Sequence, residues 1–275
     1  MKKILVTTDF STNSKAGIRF AIQLASQTNS ELVFYNVIKI LKPSVWKQIK
    51  WENHVEEESN KKLLKLKNFI HSIYKNTSMK KPIYRCVVEV ETIVDMQIIA
   101  FAQTIQANYI CMSTKGAGNI RKIFGTNAAS LIATSPIPVI VVPHNYRRKQ
   151  INSIWFTSDY ENLNSELSKV LEFNKSLSSK LLVTHYHLLN KSENNDNITS
   201  IIAKNESENV EFKSVKRNIN YTLVEQIQAD IKKVKPSILV LFTKQNRSWL
   251  ERWILASTAT ELVYDMKTPM LVFKK

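Results

Sequence analysis

Short apolar runs rich in β-branched and aromatic residues recur through the first half of the chain, at residues 2–8, 31–37, 82–90, 109–113 and 138–142. Runs of this length bounded by polar residues predict strands buried on both faces. The stretches between them carry a helical period. Ile18, Ala21, Ile22 and Ala25 share one face of a helix expected over 12–28, with Ser11 placed to cap it. Residues 55–76 place Leu63, Leu66, Phe69, Ile70 and Ile73 on another helix, with Glu56, Glu57 and Glu58 at its expected start and lysines later, as the helix dipole favours. Further helices are expected over 94–106 and 126–134. Strands alternating with helices demand a parallel sheet covered on both faces. In such sheets ligands sit beyond the C-terminal strand ends, where the winding reverses. Asp9 and the loop after residue 113 fall at such ends. The bulky stretch 39–54, with Pro43, Trp46 and Trp51, reads as a lid or a packed connection.

Glycine is rationed. The chain has 4 glycines in 275 residues, against a usual share of about 7%, and three of them, Gly116, Gly118 and Gly125, lie between one expected strand and the next helix. Glycines in that position let backbone N–H groups turn toward one point, and the helix adds its own unpaired donors and positive dipole end. Lys115, Arg121 and Lys122 surround the loop with positive charge. The stretch has the chemistry of a phosphate cradle.

After the basic connection 145–150 the sequence begins again. Ile4 to Phe10 is echoed by Ile154 to Tyr160, with Asp9 matching Asp159. Cys111 to Lys115 is echoed by Val240 to Lys244, and TNAASLIATSPIPVIVV by STATELVYDMKTPMLVF, with Pro138 matching Pro269. Two copies of one α/β unit is the simplest reading. The second copy has no glycine, and Trp249 and Trp253, four residues apart, stand where the first copy has its cradle. It is therefore not expected to hold phosphates in the same way, which leaves Asp159 as a relic or a helix-start residue. The polar, asparagine-rich run 190–209 is expected to replace the long second helix with something shorter or mobile.

Net charge is +16, and residues 1–150 carry 22 Lys+Arg against 9 Asp+Glu. The first half is the one suited to an anion. Nucleic acid and anionic lipid are set aside as partners, because the lysines are scattered and no aromatic platform accompanies them. No apolar run approaches the ~20 residues of a membrane span, and Asp9 ends the opening apolar run too early for a signal peptide, so a cytoplasmic protein is expected. Cys86 and Cys111 lack metal spacing and are expected as buried thiols. His185 and His187 share a strand face but bring no third ligand, so no metal site is expected.

The opening strand with Asp9, the segment from Met112 through Thr126 and the closing Pro138-Val139-Ile140-Val141-Val142 resemble the universal stress protein family. The chain looks like its tandem form, with domains at 1–145 and 151–275. The resemblance implies an α/β fold of two tandem Rossmann-like domains of the adenine nucleotide alpha hydrolase-like kind, each a five-stranded parallel sheet with helices on both faces. It also implies pairing of closing strands between domains, as single-domain members pair in dimers. ATP-binding members show Gly, two residues, Gly, nine residues, Gly, then Ser or Thr. Here the series is Ser113, two residues, Gly116, eight residues, Gly125, Thr126, so the first glycine is serine and the loop is one residue shorter. Carried across, the resemblance implies that Asp9 faces the ribose of ATP, with magnesium, and that the backbone around Val37 meets adenine. Gly116, Gly125 and Thr126 would hold the phosphates, with Met112, Ser113, Gly118 and Asn127 completing the set. The function so implied is a stress signal or switch that binds adenine nucleotide, without turnover. Its alternative is a nucleotide-free module that recruits a protein partner through Trp249 and Trp253.

Overall fold

The apolar runs of the first half become five strands, β1 (Lys3–Thr7), β2 (Glu31–Ile38), β3 (Tyr84–Val90), β4 (Tyr109–Ser113) and β5 (Val139–Val142). The computed structural model describes residues 1–75, 82–114, 126–187, 196–243 and 267–275, in two compact units, Met1–Arg148 and Lys149–Lys275. In the first unit the strand order is β3-β2-β1-β4-β5, and every neighbouring pair is parallel. From β1 the chain winds outward through β2 to β3, then returns to the other side of β1 as β4. The winding reverses between β1 and β4, which places a switch point there.

Four helices cover this sheet, α1 (Lys15–Thr28), α2 (Gln48–Lys75), α3 (Val94–Thr104) and α4 (Thr126–Thr134). Two adjacent residues of β2 show which helix lies on which face, because successive strand side chains point to opposite sides. Phe34 meets Tyr74 of α2 edge-on at 6.5 Å, and Tyr35 stacks on Phe101 of α3 at 4.4 Å. The Tyr35 hydroxyl donates to Glu89 Oε2 at 2.5 Å, and Gln97 Nε2 donates to the same oxygen at 2.6 Å, so the one polar atom of this buried ring is satisfied. Ser130 of α4 donates to Asp95 of α3.

The expected helices form with two differences. Helix α1 starts at Lys15, because residues 12–14 first make a tight turn. Ser11 closes that turn, its Oγ accepting from Ser14 N–H at 3.1 Å, and the residue at the helix cap is Ser14. Helix α2 starts at Gln48, eight residues before the first glutamate of the acidic cluster, Glu56, and its first turn holds no acidic residue. Nothing between Pro43 and Lys75 breaks a helix, and Trp46 and Trp51 pack against His54, at 5.0 and 6.3 Å, which holds the added turns together. Leu66, Ile70 and Ile73 are buried as expected.

In the second unit the strands are β6 (Ser153–Ser158), β7 (Lys180–His187), β8 (Val210–Lys216), β9 (Ile238–Thr243) and β10 (Met270–Lys274). Their order is β8-β7-β6-β9-β10, again parallel throughout, with the same reversal beside the first strand. The described helices are α5 (Leu163–Asn174), α6 (Asp196–Asn205) and α7 (Leu223–Val234). Helix α6 has 10 residues where α2 has 28, the shortening that its polar sequence foretells. Trp249 and Trp253 lie outside the described residues. Cys111 is buried as expected, but Cys86 is only half-buried, since β3 ends the strand order of its unit. Burial still pushes the Cys86 thiol up to about 11.

Helix α1 lies so close to β4 that a Cβ on Gly17 would stand 3.0 Å from Met112 C and from Ser113 N. Backbone atoms at that distance cannot move aside cheaply. Gly17→Ala is expected to destabilise the first unit by about 1–3 kcal/mol, read as a lower urea midpoint. An unchanged midpoint would show that the helix can lift off the strand without cost.

Candidate functional site

The site begins with the turn after β1. The Thr8 hydroxyl accepts from Phe10 N–H at 3.1 Å and bonds to Ser14 Oγ at 2.8 Å. Asp9 Oδ1 accepts from Ser11 N–H at 3.0 Å. Phe10 between them has φ 64°, a left-handed conformation that costs an aromatic residue about 1–3 kcal/mol and persists only where its surroundings impose it. From the neighbouring strand Asn36 Nδ2 donates to the Thr8 carbonyl at 2.7 Å. Phe10 then packs edge-on to Phe69 of α2 at 5.8 Å, with the Lys65 ammonium 4.8 Å above its ring. The result is an exposed carboxylate, Asp9, on a turn fixed from three sides.

Around it stand the other residues the sequence points to. Thr7 is opposite Tyr35 in the β1–β2 ladder, so Val37, half-buried and paired with Glu89, lies level with Asp9. Met112 and Ser113 end β4, both buried, on the far side of the switch point. Thr126 opens α4, and Asn127 is exposed in its first turn. Gly116, Gly118 and Gly125 lie outside the described residues. The structure thus brings the ends of β1, β2 and β4 to one sheet edge.

Ser113, in place of the family's first glycine, sends its side chain toward α1. Its Oγ accepts from Gly17 N–H at 2.9 Å and is buried. Gly17 is in the first turn of α1, whose N–H groups lack partners within the helix. The serine hydroxyl supplies one, so it is spent on the helix and does not project toward a nucleotide phosphate. Thr8, Asn36 and Gly17 were not singled out in the sequence. The polar Asn36 inside the apolar run of β2 is the signal that points to one of them. A left-handed phenylalanine leaves none, because aromatic residues do not favour that conformation.

The second unit rebuilds the same turn. Ser158 Oγ accepts from Tyr160 N–H at 3.1 Å, Asp159 Oδ1 accepts from Glu161 N–H at 3.1 Å, and Tyr160 also has φ 64°. His185 takes the place of Asn36, its Nδ1 lying 3.0 Å from the Ser158 carbonyl. A carbonyl only accepts, so the imidazole proton sits on Nδ1. His185 stacks on Tyr160 at 4.2 Å, and His187 bonds to Ser214 Oγ at 2.9 Å. Both histidines are therefore engaged, and among the described residues no three metal-ligating side chains come together.

Asp159 is more than a relic. Lys275 Nζ lies 3.0 Å from both of its carboxylate oxygens and 2.8 Å from Oε1 of Glu166, whose side chain is only 3% exposed. Ser158 Oγ donates to the other Glu166 oxygen at 3.0 Å. A carboxylate clamped by an ammonium cannot receive ribose hydroxyls without first giving up that charge. A nucleotide's ribose does not fit here as the residues stand. Burial works against the Lys275 charge, but the bonds to Glu166 and Asp159 outweigh it and raise its pKa above the ordinary lysine value of 10.5.

Lys275→Met leaves the buried Glu166 carboxylate without its counter-charge and is expected to cost about 3 kcal/mol, with more than half regained on adding Glu166→Gln. A group whose pKa is raised on folding stabilises fully below its unfolded value and loses that effect above the folded one. The lysine's contribution should therefore be intact below pH 10.5 and fade at higher pH in urea titrations of the wild type but not of the double variant. Equal alkaline behaviour of the two proteins would contradict the pairing.

Several comparisons bear on this architecture. The fold is similar to that of a universal stress protein from Archaeoglobus fulgidus, with a TM-score of 0.67, 16% identity, and coverage of 99% of this chain and 98% of that one. A functionally unknown protein from Pseudomonas aeruginosa superposes with a TM-score of 0.60 at 13% identity, covering 100% of this chain and 92% of the other. These likenesses establish the fold. No curated protein matches the chain in sequence. The sequence model of the universal stress protein family matches residues 1–143, which takes in Asp9, its turn, the switch point and β5. On that match, over more than half of its length, the chain belongs to the universal stress protein family.

Proposed function

We propose that the first unit binds an adenine nucleotide, ATP by preference, at the switch point between β1 and β4, and that occupancy acts as a cytoplasmic stress signal. One observation carries this reading: the exposed Asp9 carboxylate is held on a fixed turn level with Val37 and across the switch point from the start of α4. A carboxylate so placed accepts from ribose hydroxyls, the half-buried Val37 offers an apolar neighbour and backbone groups to a base, and the first turn of α4 contains no acidic residue to repel phosphate. These residues fit the group. Ser113 does not obstruct it, because its hydroxyl is bonded to Gly17. Magnesium would arrive on the phosphates and need no cage of protein ligands.

The reading is of binding without turnover. Asp9 orients the sugar and already accepts from a backbone N–H, a poor arrangement for activating water at the far end of a triphosphate. The second unit serves as the blocked counterpart, with Lys275 seated on Asp159.

Calorimetric titration with ATP and magnesium tests this. Saturable binding is expected, weakened at least about tenfold by Asp9→Ala, the loss of one charge-assisted hydrogen bond pair. Asp159→Ala should leave affinity unchanged, and valine at both Gly116 and Gly125 should abolish it, with phosphate release at background throughout. Failure to saturate at millimolar nucleotide, or full affinity in Asp9→Ala, would return the chain to the nucleotide-free alternative.

A further inference from the structure

The segment that joins β2 to α2, together with the first turn of α2, exposes apolar side chains that no packing explains. Leu41 is 71% exposed, Val45 86% and Ile49 73%, three aliphatic residues within nine positions. Lysines are interleaved with them at 39, 42, 47 and 50, and between Glu31 and Glu52 the sequence has no acidic residue. The segment is compact. Trp46 N–H closes a turn on the Pro43 carbonyl at 3.0 Å, Lys42 Nζ donates to Gln48 Oε1 at 2.6 Å, and Lys50 Nζ lies 4.6 Å over the Trp46 ring.

The placement of these lysines works against the helix they adjoin. Lys47 and Lys50 flank the start of α2, where the positive end of the helix dipole disfavours cations and favours acids. Local stability does not account for them, and core packing does not account for the aliphatic residues. Both features are explained by an external surface that is negatively charged and accepts apolar side chains.

We infer that residues 39–50 form a tip that docks on an anionic phospholipid surface. Exposed aliphatic side chains enter a bilayer without a matching cavity, Trp46 has the amphipathic ring suited to the headgroup level, and the four lysines meet the negative leaflet. An acidic protein partner would need pockets shaped to the three aliphatic side chains, and nucleic acid gives them nothing to bury against. Glu52, Glu56, Glu57 and Glu58 along α2 confine the contact to the tip. This departs from the sequence-level expectation that no membrane is a partner. It involves no spanning segment, and among the described residues no helix is long and apolar enough to cross a membrane. Because β1 and β2 are parallel, the tip rises from the same sheet edge as Asp9.

Co-sedimentation of the full chain with phosphatidylcholine vesicles, with and without phosphatidylserine, tests the proposal. Binding is expected only with phosphatidylserine, falling as salt rises. Replacing Lys42, Lys47 and Lys50 by Gln should lower partitioning at least about tenfold, and replacing Leu41, Val45 and Ile49 by Ser should do the same with circular dichroism unchanged. Trp46 should account for a blue shift in emission that is lost in Trp46→Leu. No phosphatidylserine-dependent binding at low salt would overturn the proposal, as would binding indifferent to either triple variant. Loss in the lysine variant alone would also overturn it, showing adsorption through general basic charge. Capture of an acidic polypeptide or RNA through the tip, without vesicle binding, would assign it to that other class of partner.

Discussion

A single backbone carbonyl at the end of the first strand, bonded sideways by the neighbouring strand, sets the geometry of each unit's candidate crevice. Asn36 does this for Thr8 and His185 for Ser158. Without that bond the carbonyl would be a buried acceptor left unpaired, and the turn would have no reason to hold an aromatic residue at positive φ. With it, the chain is forced through the left-handed step at Phe10 and Tyr160, and the preceding aspartate is turned outward. The acid at the switch point is thus a consequence of strand packing before it is a functional group.

What the aspartate then faces differs between the units. In the second, an ammonium is drawn onto Asp159 and onto a buried glutamate beneath it, so the turn closes on itself. In the first, the underlying hydroxyl of Thr8 meets Ser14, a neutral partner. The repeated turn presents an exposed aspartate in both units, and in the second that aspartate pairs with Lys275. The repeat puts His144 at the position of Lys275.

Much of this was legible in the sequence. Strand β4 and helix α4 fall on their expected residues, and the parallel sheet followed from alternation alone, because runs buried on both faces leave few alternatives. The start of α2 was misplaced because Glu56 to Glu58 imitate a helix beginning, while the real beginning carries lysines that oppose the dipole. Ser113 was legible as a departure from the family pattern but not its direction, since only the close approach of Gly17 shows where the hydroxyl goes. The Lys275 pairing joins residues more than a hundred positions apart, and no periodicity reveals such a contact. The glycine loop was the clearest sequence signal of all but lies outside the described residues, and the turn that holds Asp9 is built by Thr8, Asn36 and Ser14, ordinary polar residues with no motif of their own.

Amide chemical-shift mapping during addition of ATP and magnesium reads the Asp9 turn and the Lys275-paired Asp159 turn in one sample. Perturbations confined to residues 9–14, 37–38 and 113–127, with Asp159 to Glu166 and Lys275 unmoved, are the predicted result. Equal perturbation of the Asp159 turn, or none at Asp9, would contradict it.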